Sequence, residues 1–68
     1  MAWERLHVHL IEKASIALAA INQREGLSKT DAVNRAIQLY DLVRREEADG
    51  AVLTLLRPDG SLDRIKIL

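Results

Sequence analysis

The chain has no cysteine and no phenylalanine, a single proline, tryptophan and tyrosine, and no excess of either charge. Without cysteine there is neither a disulfide staple nor a thiolate metal site, and the chain suits a reducing cytosol. No apolar run approaches the roughly 18 residues needed to cross a bilayer, and no signal peptide is visible at the N-terminus. Zero net charge counts against a simple polyelectrolyte binder of nucleic acid, so any DNA contact must come from a local surface. Residues 1–38 carry five basic and four acidic side chains plus both histidines, and residues 39–68 carry five basic and six acidic. The apolar content, 49%, is almost entirely Leu, Ile, Val and Ala. A chain of 68 residues is one small domain, and cores of this size rarely suffice without a staple. Oligomerisation is the staple still open.

Arg5-Leu6-His7-Val8-His9-Leu10 alternates strictly, with Leu6, Val8 and Leu10 on one side and Arg5, His7 and His9 on the other. That period predicts a half-buried strand over residues 4–10. A lone strand leaves its amides and carbonyls unsatisfied and needs a partner. Two partners are open to it: a segment past residue 50, or the same strand in a second copy. Trp3, in the short lead-in, can cap the core or face a partner.

From residue 11 the period changes. Ala14, Ala17, Leu18 and Ile21 recur at helical spacing, alanine favours helix, and Gly26 suits the left-handed residue after a helix end. These predict a helix over 12–25. Ser28-Lys29-Thr30-Asp31 reads as an N-cap with an acidic residue three places on. Ala32, Val33, Ala36, Ile37, Tyr40 and Val43 form a second apolar stripe, widened by Leu39 and Leu42, which predicts a helix over 29–47. Only Gly26-Leu27-Ser28 separates the two, a helix–turn–helix that is not by itself DNA-binding. Past Asp49-Gly50, the runs Ala51–Leu56 and Leu62–Leu68 flank Arg57-Pro58-Asp59-Gly60. Proline at the second turn position and glycine at the fourth predict a type I turn followed by a left-handed glycine, hence a β-hairpin within 49–68.

The order of strand, helix, glycine turn and helix, with Arg5-x-His7-x-His9 outward and Gly26-Leu27-Ser28-Lys29-Thr30-Asp31-Ala32 at the turn, resembles the ribbon–helix–helix family. This is the class of the Arc and methionine repressors, and the likeness covers residues 4–47. It implies a mainly α fold with short β: an intertwined homodimer whose two strands form an intermolecular antiparallel ribbon. Carried over by position, Arg5, His7 and His9 are the implied base readers in the major groove. Ser28, Lys29 and Thr30 are the implied phosphate contacts, since helix N-termini grip anions. Leu6, Val8, Leu10, Leu18, Ile21, Val33, Ile37 and Tyr40 are the expected dimer core. Two features depart from the family: histidine is an uncommon reader, and the minimal fold lacks the 49–68 hairpin. Protonation would give the histidine face additional positive charge.

Blander roles compete with each of these. Arg5, His7 and His9 also suit the solvated face of an edge strand; the accompanying turn favours base readout. His7-x-His9 is half of a metal site, but no carboxylate or cysteine completes it within the strand, so no metal and no cofactor is expected. Ser28 reads as a cap, not a nucleophile, because no histidine is placed to serve as its base, and no catalytic role is expected. Arg44 and Arg45 complement the dipole at the end of the second helix. The expectation is a dimeric, cytoplasmic, sequence-specific binder of double-stranded DNA, a transcriptional repressor from a prokaryotic, phage or plasmid context. It pairs with itself, with higher order on DNA open, and uses no membrane. The alternative is an antitoxin-like or phage or plasmid adaptor whose 49–68 hairpin binds a partner protein.

Overall fold

The computed structural model describes residues 3–66. It is mainly helical with a small two-stranded antiparallel sheet: helices α1 (Glu12–Glu25) and α2 (Lys29–Ala48), then strands β1 (Thr54–Leu56) and β2 (Leu62–Arg64). The chain divides into two units, Met1–Asn34 and Arg35–Leu68, with the division inside α2.

In the first unit, α1 begins at Ile11, an extended residue (φ −69°, ψ 162°) whose apolar side chain offers no cap. Its carbonyl accepts from the Ser15 amide at 2.9 Å and starts the helical ladder. At the other end Gly26 adopts φ 67°, the left-handed region that a side chain disfavours, and its amide donates to the Asn22 carbonyl. The Asn22 side-chain amide donates to the Leu27 carbonyl at 2.8 Å, tying the turn back onto the helix. Ser28 Oγ accepts from the Asp31 amide at 3.1 Å, the cap that its position predicts. Ala32 is the single buried apolar residue among those described, at 3% exposure. Leu18, Ile21, Leu27 and Val33 are half-buried. The little core of this unit therefore sits at the turn.

In the second unit, α2 runs one residue past the expected Glu47. It ends in a Schellman arrangement: the Ala51 amide donates to the Glu46 carbonyl, the Gly50 amide to the Glu47 carbonyl, and Gly50 has φ 95°. β1 and β2 pair in the register Thr54↔Arg64, Leu55↔Asp63 and Leu56↔Leu62. Among the described residues the strands are shorter than the runs Ala51–Leu56 and Leu62–Leu68; on the first, Ala51 is taken up in the helix end. One further bond, from the Ile65 amide to the Leu53 carbonyl, lies beyond them. Ile67 and Leu68 of the expected run lie outside the described residues.

The hairpin loop follows its turn chemistry. The Gly60 amide donates to the Arg57 carbonyl at 2.9 Å, Gly60 takes φ 88°, and the Arg57 amide donates to the Ser61 carbonyl. Asp59 Oδ1 accepts from both the hydroxyl and the amide of Ser61. The Ser61 hydroxyl, then its amide, hold the Asp59 carboxyl below the ordinary range. Their contribution to the turn is therefore full above the ordinary carboxylate range and is lost as pH falls below it, through the lowered value. Arg57 pairs with Asp63 across the strands. Among the described residues, no helix is long and apolar enough to cross a membrane.

Candidate nucleic-acid interface

Residues 3–11 enter neither helix nor strand, and none takes a positive φ. The period-2 stretch thus has no hydrogen-bonded partner strand in one chain, while β1 and β2 pair with each other. One pair of its side chains lies as alternation requires. The His7 and His9 rings lie with centroids 5.7 Å apart, tilted by 33°. Side chains two apart in a helix do not face each other, whereas in an extended segment they share a side. His7 and His9 therefore share one face. Alternation assigns Arg5 to that side as well, and Leu6, Val8 and Leu10 to the other.

All six residues are exposed. For Arg5, His7 and His9 this is what a reading face needs, and Arg5 takes part in none of the ion pairs among the described residues. For the aliphatic trio it is costly: Leu6 is 69% exposed, Val8 52% and Leu10 45%. Burial of each such side chain is worth about 1.5–3 kcal/mol. The alternation thus pairs a polar set of side chains with an apolar set, and in a single chain the apolar set is uncovered.

The N-terminus of α2 supplies a second element. Ser28 is spent as the cap, leaving the amides of Lys29 and Thr30 without an acceptor among the described residues. These N–H groups carry the positive end of the helix dipole, and the Lys29 side chain adds a charge. Asp31 stands in the same turn, where it complements the dipole but opposes an incoming anion. The Thr30 carbonyl accepts from the Asn34 side chain at 2.7 Å. Asn22 was readable in the sequence only as part of a polar face. Its role in fixing the turn comes from its position within reach of the Leu27 carbonyl.

Cap and anion contact can be separated at one position. Ser28→Ala is expected to cost about 1 kcal/mol. For a chain of this size that lowers the melting temperature by about 4–8 °C. Ser28→Asp retains a cap acceptor and should melt close to the wild type, yet it sets a negative charge where a phosphate would sit. Thermal melts beside DNA titrations of both variants make the check. Equal loss of DNA affinity and of stability in both would leave Ser28 as a cap alone.

The residues expected in the core divide. Leu18, Ile21 and Val33 are half-buried at the turn, whereas Leu6, Val8, Leu10, Ile37 and Tyr40 are exposed in a single chain. Leu39 and Leu42 of α2 are exposed as well. On the hairpin, Leu56 and Leu62 face each other across the strands at 72% and 65% exposure. No family model, curated protein or solved structure matches this chain.

Proposed function

We propose that the protein is a homodimeric ribbon–helix–helix DNA-binding protein, a transcriptional repressor that reads a palindromic or repeated operator in the major groove. Two copies of residues 4–10 pair antiparallel. Leu6, Val8 and Leu10 turn into a shared core with Leu18, Ile21, Val33, Ile37 and Tyr40. Arg5, His7 and His9 contact base edges, and the start of α2 (Ser28, Lys29 and Thr30) holds a phosphate. The observation that carries this reading is the two-faced, unpaired N-terminal segment, joined directly to a capped helix–turn–helix.

Surface area supports a second copy. One chain exposes 6625 Å². A compact monomer of 7.6 kDa exposes about 4,300 Å², and two separate units of half that mass about 5,200 Å² together. The smaller excess, doubled for two copies, is about 2,900 Å², within the roughly 2,000–5,000 Å² of obligate homodimer interfaces. An intermolecular ribbon also satisfies the backbone groups of residues 4–10.

Enrichment from a random duplex DNA pool, at low and moderate salt, tests the function. A consensus with internal two-fold or direct-repeat symmetry is expected. Affinity should fall steeply as salt rises, because phosphate contacts release counterions. An unenriched pool at both salts overturns the reading. It would favour the alternative, an adaptor or antitoxin-like module, for which the specific support is the uncovered Leu56–Leu62 pair on the hairpin.

A further inference from the structure

We propose that His7 and His9 together chelate one divalent transition-metal ion of the class that prefers imidazole, such as zinc, nickel or copper. The chelate forms within one chain, on two of the side chains that the DNA-binding reading assigns to base edges, and it does not depend on that reading. Both side chains are exposed, share one face and keep their ring centroids 5.7 Å apart.

The spacing can be compared with what an ion requires. Zinc lies about 2.0–2.1 Å from an imidazole nitrogen, and the ring centre roughly 1.1–1.2 Å beyond, which puts each centroid about 3.2 Å from the metal. Two such rings at a tetrahedral angle have centroids about 5.2 Å apart. The observed separation exceeds this by about half an ångström, within reach of small side-chain rotations. The two rings are thus close enough for one ion to bridge a nitrogen of each after side-chain rotation.

Ligand chemistry narrows the ion. Neutral imidazole is a borderline donor that suits zinc, copper and nickel, while calcium and magnesium demand oxygen donors. Among the described residues, no third histidine, cysteine, aspartate or glutamate joins the pair. Water fills the remaining positions, in keeping with the exposure of both rings.

The test is calorimetric titration of the tag-free protein with zinc chloride, in wild type, His7→Ala, His9→Ala and Arg5→Ala. Wild type and Arg5→Ala are expected to bind one ion per chain. Each histidine variant should bind at least about tenfold more weakly, because a chelate loses its advantage when either arm is removed. Far-UV circular dichroism checks that the helices persist in every variant; both histidines lie outside the helices. NMR of the imidazole resonances gives a second readout, in which the His7 and His9 signals should shift together and saturate at the same zinc ratio. Undetectable binding by wild type, or wild-type affinity in either histidine variant, would overturn the proposal. So would a shift confined to one ring.

Discussion

Val8→Asp is expected to abolish dimerisation and, with it, most of the helix content. Val8 is the middle residue of the uncovered Leu6/Val8/Leu10 face. In the proposed ribbon both copies would place a carboxylate in the shared core. The penalty for burying an unpaired ion is several kcal/mol even after relaxation, and two like charges near a two-fold axis add to it. Dimerisation should therefore weaken by about a thousandfold or more, at 1.4 kcal/mol per factor of ten. Helix loss follows because a single chain has so little core: Ala32 is the one buried apolar residue among those described. Helices of 14 and 20 residues are marginal in water on their own. Arg5→Ala, on the opposite side, should leave mass and helicity unchanged. Sedimentation equilibrium and circular dichroism over a dilution series make the measurement. Wild type should lose helicity as it dissociates. A wild type that stays monomeric and helical at every concentration would remove the shared core, and the intermolecular ribbon with it.

The second large effect is expected from Arg5→Ala, His7→Ala and His9→Ala combined. A good side-chain contact to a base edge discriminates by about 1–3 kcal/mol. Three positions in each of two copies are lost together. Binding to the selected operator should fall by about a thousandfold or more, to the level of non-specific DNA. Weak, salt-sensitive binding should persist, because the amides of Lys29 and Thr30 remain. The dimer should remain intact, since the outward face contributes nothing to the core. A dimeric triple variant that still selects the same operator would show that the face formed by residues 5, 7 and 9 does not read sequence.

Much of the local structure was legible because short-range chemistry decides it. α1 spans the residues its alanine-rich stripe marks, since alanine holds a helix at little cost and Gly26 ends it in the left-handed region. The start of α2 rests on a hydrogen bond between residues three apart, and the hairpin turn on another of the same span. Its end was displaced by one residue because the Schellman bonds depend on where Gly50 falls. The hairpin was overestimated in length, since a run of Leu, Val and Ile says that a strand suits a place but not how many ladder bonds it makes.

The alternating stretch was the least legible in its pairing. Its period identified two faces, but a strand pattern does not choose its partner, because ladder bonds join residues far apart in sequence or in another chain. The sequence by itself determined the limits of α1, the capped turn, the left-handed glycines and the hairpin loop. All of these depend on φ preferences and hydrogen bonds among residues no more than five apart. Only the tertiary structure decided that β1 takes β2 in the register Thr54↔Arg64, and that residues 4–10 take no strand of their own chain. It also set the His7 and His9 rings 5.7 Å apart. Those outcomes follow from how distant backbone groups and side chains are satisfied together in space, which no local pattern encodes.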